Sequence, residues 1–283
     1  MRFGLPYRFR RALGLLMRHV KTCHACRQAD AGQFIRARTW YAAWLIPPGN
    51  WYLSWLSTGV SMLPTSLWLD WECRMYAELS PLLAQRAGRR QLLLPRIPGE
   101  TLAAILSAPT QELSRKIQAV RLAAAALIET HRHNVPWPDG ISRPFSHGDA
   151  TARNVLCDVT GGRATWIDFE TLHDPCRTVA WRQADDLRAL VWSAAESIGS
   201  DAFEALCAAI LDVVSDTAVL RELAHVAASG RPNVYHLAQG TLSLSQHRRL
   251  CSILAVAIPQ VRATRPGGRA ESGGDGSVGA GGP

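Results

Sequence analysis

Three oxygen-bearing side chains in the second half of the 283-residue chain have a spacing suited to phosphate chemistry. Asp149 and Asn154 belong to one run, HGDATARN from His147, and Asp168 follows Asn154 after 13 intervening residues. Transfer of a phosphoryl group from ATP to a hydroxyl requires a carboxylate that accepts the hydroxyl proton, together with oxygen ligands for Mg²⁺. Asp149 can supply the first, and Asn154 with Asp168 the second. Each residue alone is more often a turn former or a cap, whereas their joint occurrence in this order favours chemistry.

The two runs resemble motifs of the protein-kinase-like superfamily, specifically of its small-molecule branch, which includes aminoglycoside phosphotransferases, choline kinases and bacterial lipopolysaccharide kinases. The resemblance is carried by the HGD run at 147–149 and the IDFE run at 167–170, and it is weak before Leu92. It implies an α+β protein with a two-lobed kinase-like fold, in which a small β-rich N-lobe precedes a larger helical C-lobe. It also implies a phosphotransferase that uses ATP and Mg²⁺ and acts on a hydroxyl-bearing acceptor.

The resemblance also assigns roles to individual residues. Asp149 becomes the catalytic base, His147 braces the catalytic loop, and Asn154 and Asp168 become the metal ligands. Asp186 anchors the loop from the following helix, although a carboxylate there is also suited to capping a helix start. The acceptor stays open among a small molecule, a lipid-linked sugar and a protein hydroxyl.

Residues 92–99 resemble the hinge between kinase lobes, where adenine forms hydrogen bonds with backbone groups. The apolar run Leu92-Leu93-Leu94 predicts a buried strand that leads into this segment. The carbonyl of Pro95 and the N–H of Ile97 are then the candidate partners of the nucleotide, since proline has no N–H to donate. An ordinary connection between a strand and a helix explains the same residues equally well.

One group that the resemblance implies is missing. The phosphate-binding lysine of the family should lie between Thr39 and Cys73, but this stretch contains neither Lys nor Arg. Glu72 is the candidate acid that pairs with such a cation, or else a solvated helix residue. Phosphate oxygens without a cation lose a charge-assisted hydrogen bond, so Arg36 and Arg38, just upstream, are the candidate replacements. The missing lysine leaves a second interpretation open, a pseudokinase-like protein that binds nucleotide or acts as a scaffold.

The elements that must position these residues form a β-rich first part and a helical second part. The N-lobe is expected at 35–95 and the C-lobe, with the catalytic loop, at 96–258. Alternating apolar residues from Trp40 to Trp55, across a Pro-Pro-Gly-Asn turn, predict a β-hairpin whose tryptophans form a small sheet core rather than a base-stacking surface. Apolar residues at helical spacing predict helices over 66–87, 101–108, 112–133, 184–198, 201–228 and 240–257.

Positive charge is concentrated at the start of the chain. The net charge is +8, and residues 1–38 account for all of it, with nine cations against Asp30 alone. Residues 1–34 are predicted to form a basic arm that contains an amphipathic helix over 7–20. A protein that binds nucleic acid or a membrane surface is therefore a third interpretation. No recognition-helix motif supports nucleic acid. The amphipathic helix suits either an anionic membrane surface, which is the expected partner of the arm, or packing on its own domain.

The remaining features concern the location and the ends of the chain. An odd number of cysteines, seven, fits reduced thiols better than a disulfide framework. A cytoplasmic protein is expected, and its basic arm would make a peripheral contact at the inner membrane surface. Cys23 and Cys26 form a CxxC motif without the further ligands that a zinc site needs. Residues 259–283 are glycine-rich and are predicted to be a disordered tail.

Overall fold

The computed structural model describes residues 24–28, 32–80, 84–229 and 242–264. The amphipathic helix predicted over 7–20, Cys23 and the chain from residue 265 onward lie outside these ranges. The strands are β1 (His24–Gln28), β2 (Gln33–Arg38), β3 (Val60–Met62), β4 (Gln85–Gly88), β5 (Gln91–Pro95), β6 (Glu100–Thr101), β7 (Asn134–Pro136), β8 (Ser142–Pro144), β9 (Val155–Asp158), β10 (Arg163–Trp166) and β11 (Thr171–His173). The helices are α1 (Ala42–Trp55), α2 (Thr65–Leu79), α3 (Leu102–Ser107), α4 (Leu113–His131), α5 (Val179–Ile198), α6 (Phe203–Leu211), α7 (Thr217–Ala228) and α8 (Leu244–Thr264).

The structure combines antiparallel sheets with helices. Helices account for 53% and strands for 18% of it, which agrees with the predicted α+β class. The largest sheet has the order β1-β2-β5-β4, and its neighbouring strands pair antiparallel. A second sheet has the order β10-β9-β6, and β11 pairs with β3. The last pairing links the first part of the chain to the segment directly after Asp168.

The main hydrophobic core joins the largest sheet to the C-terminal helices. Leu92 and Leu94 of β5 are buried in it, which confirms the strand predicted there. Helix α5 is buried along most of its length and packs against α3, α6 and α7. The sheet and the helices around α5 therefore share one core, which fixes the segments between them.

The hairpin predicted between Trp40 and Trp55 is wrong, because residues 42–55 form helix α1. The buried residues of α1 are Ala42, Ile46, Gly49, Tyr52 and Leu53, a helical spacing that the alternating tryptophans obscure. Pro47 and Pro48 lie within the helix on its exposed side. The tryptophans of this segment form no sheet core, since they are exposed.

Most of the other predicted helices exist, with different ends. The helix predicted over 66–87 stops at Leu79, because Ser80 is extended and precedes a proline, a position that disfavours helix. The span 201–228 is divided into α6 and α7, and Asp216 caps the second by accepting hydrogen bonds from the backbone of its first turn. Residues 259–264, assigned to the disordered tail, are the last residues of α8.

The helices were also compared with the thickness of a bilayer. Among the described residues, no helix combines the length and the apolar character that crossing a membrane requires.

Candidate functional site

Strand β2 presents two arginines on one face, because side chains two residues apart in a strand point the same way. Arg36 and Arg38 are both buried, and their guanidinium groups lie 5.6 and 4.7 Å from the ring centroid of Trp68. Trp68 precedes Glu72 by one turn of α2 and donates its indole N–H to Glu72 Oε2 at 2.6 Å. The strand and the helix thus bring two cations and a carboxylate into one buried space, and Glu72 is not a solvated residue.

Arg36 joins carboxylates from distant parts of the sequence. Its Nη1 donates to Glu72 Oε1 at 2.5 Å, and its Nη2 donates to Asp168 Oδ1. The same Nη2 lies 3.6 Å from Glu170 Oε2, which accepts a hydrogen bond from Arg38 Nη2 at 3.2 Å. We call these five side chains the buried charge network. Arg36 therefore pairs with both the acid predicted on the helix and the metal ligand predicted after β10.

The network holds two guanidinium groups and three carboxylates, so it has one acidic group in excess. Burial raises the pKa of Glu170 to about 8, and the nearby Asp168 adds to the rise. Burial also raises the pKa of Glu72. Burial alone would lower the pKa of Arg36, but the three carboxylates together raise it well above its usual value. Arg36 consequently stays charged, while Glu72 and Glu170 retain a proton more readily than in water.

The backbone of the loop at 146–154 is held in place by hydrogen bonds to Asp186 of α5. Asp186 Oδ2 accepts a hydrogen bond from the backbone N–H of His147 at 2.7 Å, and Oδ1 accepts one from Gly148 at 2.8 Å. His131 Nε2 lies 2.9 Å from Oδ2. Burial would raise the pKa of Asp186, but His173, His131 and His147 lower it to about 2. Asp186 is therefore an ionised acceptor that fixes the loop backbone.

The capping alternative for Asp186 does not apply to this helix. Helix α5 begins at Val179, and Thr178 caps it by accepting a hydrogen bond from the Trp181 N–H at 3.2 Å. Asp186 lies two turns further along and is buried against the loop.

The loop brings Asp149 and Asn154 into contact. Asn154 Nδ2 donates to the Asp149 carbonyl at 2.8 Å and to Asp149 Oδ2 at 3.2 Å. Gly148 allows this course of the chain, because it has φ +78° and a Cβ there would lie 2.9 Å from the Thr171 carbonyl oxygen. The amide of Asn154 thus orients the carboxylate of Asp149 and retains its own oxygen as a potential ligand.

The β9–β10 hairpin delivers Asp168 beside this loop. The Ile167 N–H donates to the Asn154 carbonyl at 2.9 Å, and the Ile167 carbonyl accepts from His147 Nε2 at 2.9 Å. Asp168 itself has φ +69°, a conformation that a non-glycine residue adopts at a cost and that is concentrated at functional sites. The Asp168 side chain keeps 28% of its surface exposed, so its carboxylate is accessible from solvent.

The two residues of the predicted hinge lie outside the buried charge network. Pro95 ends β5 opposite Gln33 of β2. Ile97 packs its side chain against the main core and borders a cavity of about 410 Å³ that Trp166 and Phe169 also line. Their backbone groups lie on the connection from β5 to α3, which is compatible both with a hinge and with an ordinary loop.

A second cavity of about 480 Å³ lies beside the strand that follows Glu170. Asn50 and Ser54 of α1, Ser61 of β3, and His173 and Asp174 contribute to its lining. His173 is fixed there, because its Nδ1 lies 3.0 Å from the hydroxyl of Ser146 in the loop. The cavity therefore offers polar side chains next to the segment that carries Asp149.

Three residues of this region were not singled out from the sequence. Glu170 is part of the IDFE run without a role of its own, and the sequence assigns no role to Trp68 or His131. Spacing carries a signal for two of them. Glu170 is two residues after Asp168, and Trp68 is one helical turn before Glu72. The contact of His131 with Asp186 joins residues 55 positions apart and has no local signal.

The chemistry open to this arrangement follows from its donors and acceptors. Asp149 can accept a proton, Arg36 can bind phosphate oxygens, and Asp168 with Asn154 supplies a carboxylate and an amide oxygen, the ligand types that Mg²⁺ prefers. The described residues contain no cluster of three or more His, Cys, Asp or Glu that could hold a metal alone. Mg²⁺ that bridges phosphates needs only one or two protein carboxylates, so this donor set fits it.

The chain was also compared with known proteins. No model of a known protein family matches the sequence, and no curated protein is similar to it.

Proposed function

We propose that the chain is a phosphotransferase with a two-lobed kinase-like fold, which transfers the γ-phosphoryl group of ATP to a hydroxyl with the help of Mg²⁺. The observation that carries the proposal is the pairing of Arg36 with both Glu72 and Asp168. Arg36 supplies, from strand β2, the cation that is missing from the expected stretch of sequence. Arg36 lies beside the loop that holds Asp149 against Asn154. A purely structural ion pair has no need of this second set of residues.

Each residue then has a defined task. Asp149 accepts the proton of the attacking hydroxyl, and Asn154 keeps its carboxylate oriented. Asp168 and the amide oxygen of Asn154 would hold Mg²⁺, which when bound neutralises charge on the phosphates. Arg36, positioned by Glu72, offers its guanidinium to phosphate oxygens, since a planar fork can grip two of them at once.

The proposed acceptor site is the cavity of about 480 Å³ that His173 and Asp174 line. The lining residues His173 and Asp174 follow Asp168 closely in sequence. The hydrogen bond between His173 and Ser146 connects the cavity to the catalytic loop. Its serines, asparagine and carboxylates suit an acceptor rich in hydroxyl groups. A sugar-like acceptor fits this lining better than an apolar one.

A second candidate function has an observation of its own in favour. Arg36 pairs with Asp168, and a carboxylate that is bound to an arginine is less available to a metal ion. A pseudokinase-like protein, which binds nucleotide or a partner without transfer, would retain this pair permanently. In the phosphotransferase, the nucleotide has to compete with Asp168 for Arg36, and Mg²⁺ has to compete with Arg36 for Asp168.

The test is a measurement of ATP binding by calorimetry, with and without Mg²⁺, followed by product analysis on sugars, amino-alcohols and peptides. We expect Mg²⁺ to strengthen ATP binding to the parent and not to Asp168→Asn, because the substitution removes the charge that faces the metal. Asp149→Ala should lower transfer by about 100-fold to 10,000-fold, as expected for loss of a general base. Asp201→Ala, an exposed carboxylate on a distant turn, is the matched control.

The outcomes separate the two functions. ATP binding that responds to Mg²⁺ without product from any acceptor supports the pseudokinase alternative. Transfer at the parental rate by Asp149→Ala contradicts the assignment of the base. Absence of ATP binding contradicts the phosphotransferase and the nucleotide-binding form of the alternative, and leaves only a scaffold that binds a partner.

A further inference from the structure

Four tryptophans near the start of the described chain are exposed, against the usual distribution of this residue. Trp40, Trp44, Trp51 and Trp55 expose 67, 75, 67 and 46% of their surface. Five of the other six tryptophans of the chain are buried. Exposure of single apolar residues is normal, but four large aromatic side chains in 16 residues form a patch that requires an explanation.

The patch lies on one side of helix α1. Trp44, Trp51 and Trp55 are separated by seven and four residues, which at 100° per residue places them within about 40° of one another around the helix axis. Trp40 lies four residues before Trp44, just ahead of the helix. The exposed Pro47 and Pro48 lie between Trp44 and Trp51. We call this the tryptophan face of α1.

The opposite side of α1 is already packed. Ala42, Ile46 and Leu53 are buried in a small cluster with Val60 and Met62 of β3, separate from the main core. Helix α1 is further held against β3 by Asn50, whose amide exchanges two hydrogen bonds with the backbone of Met62 at 2.7 and 2.8 Å. The tryptophan face is therefore the outer face of a well-fixed helix.

The distribution of charge along the sequence, within this face and before it, indicates the partner of the face. Residues 39–69 contain no Asp, Glu, Lys or Arg, although the exposed side of a helix in water is normally charged. Residues 1–35, which precede it, carry seven cations and a single acid, a net charge of +6. The helix therefore adds no charge of its own to this face, and the charged residues Asp139, Asp174 and Arg177 contribute to the cavity that Asn50 and Ser54 of α1 also line.

Tryptophan, proline and an uncharged helix that follow a strongly basic segment in the sequence match the chemistry of a lipid surface. Indole rings prefer the boundary between headgroups and acyl chains, and each nearby cation adds attraction to anionic headgroups. We propose that the tryptophan face of α1 inserts into the headgroup region of an anionic lipid bilayer and holds the protein on that surface. This proposal does not depend on phosphoryl transfer.

The test is flotation of the full chain with vesicles of phosphatidylcholine containing about 30% phosphatidylglycerol, compared with vesicles of phosphatidylcholine alone. We expect the parent to float with the anionic vesicles. The variant Trp44→Ser/Trp51→Ser should lower the partition coefficient at least about tenfold, because two indole rings leave the interface. Quenching of tryptophan fluorescence by brominated acyl chains should fall with it.

The matched control is Leu113→Ser/Val256→Ser, which removes two exposed apolar side chains from other surfaces and should bind vesicles within twofold of the parent. Equal melting temperatures of all three proteins show that the variants are folded. The proposal is overturned if the parent stays unbound, or if the tryptophan variant floats as the parent does. Concentration-dependent dimers that the tryptophan variant abolishes would instead assign the face to a second copy of the chain.

Discussion

The buried charge network and the tryptophan face of α1 invert the usual arrangement of a folded chain. In the first, Arg36, Arg38 and Glu72 are buried together with Glu170. In the second, large aromatic side chains stand in solvent on a helix with no charged residue. Burial of charge costs free energy unless partners are present, and exposure of indole rings forgoes the gain of burying them.

The comparison shows two different ways in which a chain departs from its most stable arrangement. The network compensates its cost internally, because every charge that it buries has an opposite charge within 4 Å. The tryptophan face has no such compensation among the described residues, since its indole rings stay exposed there. The first region therefore offsets its cost within the fold, and the second does not do so within the part of the chain that the structure describes.

The largest effect on the free energy of unfolding is expected when the network loses Glu72. Glu72→Ala leaves Arg36 without one of its two closest carboxylates in a buried position, and should lower the free energy of unfolding by about 3–5 kcal/mol. Glu72→Gln, which keeps the shape and can still accept one of the two hydrogen bonds that Glu72 accepts from Arg36 and Trp68, should cost less. Urea denaturation of the three proteins measures the difference, and equal midpoints would show that the ion pair does not contribute to stability.

The network should also make stability depend on pH. Since burial raises the pKa of Glu170 to about 8 in the folded state, the folded protein binds more protons than the unfolded chain between pH 4.5 and 8. The free energy of unfolding should therefore fall as pH rises through this range, by at most about 1.4 kcal/mol per pH unit. Glu170→Gln should flatten this slope, and an identical slope in both proteins would contradict the assignment.

A conservative exchange separates charge from geometry in the network. Arg36→Lys keeps the cation, but an ammonium group cannot join two carboxylates as a planar guanidinium does. We expect ATP binding in the presence of Mg²⁺ to weaken about tenfold, a loss of about 1.4 kcal/mol. Arg121→Lys, at an exposed pair with Asp212, should bind ATP as the parent does. Calorimetry that finds Arg36→Lys equal to the parent would remove Arg36 from the nucleotide site.

The smallest effect is expected on the tryptophan face. Trp51→Ala should change the free energy of unfolding by no more than about 0.5 kcal/mol, because the ring is exposed and its helix is held from the other side. Urea denaturation compares it with Glu72→Ala. A large destabilisation would mean that Trp51 is packed in solution, and the contrast between the two regions would then disappear.

Part of this protein is determined by the sequence alone. The spacing of Asp149, Asn154 and Asp168 identified a candidate site whose loop and hairpin are local in sequence, so that their hydrogen bonds span few residues. Helical periodicity likewise predicted α4 and most of α5, since burial of one face repeats every three to four residues. The alternation at Trp40–Trp55 misled because the largest aromatic residues of this segment are exposed while Ile46 and Leu53 are buried, so that counting the tryptophans as core residues gave the wrong period.

Tertiary structure decided which arginine pairs with Glu72 and Asp168. Arg36 stands 36 residues before Glu72 and 132 before Asp168, and no local pattern relates them. The sequence named Arg36 and Arg38 as equal candidates because both precede the stretch that lacks a lysine. The pairing of β2 with β5 and the packing of α2 against the sheet direct Arg36 to Glu72 and Asp168, and Arg38 to Glu170. Long-range packing makes this choice because the two side chains share one strand face and differ only in what the fold places opposite each.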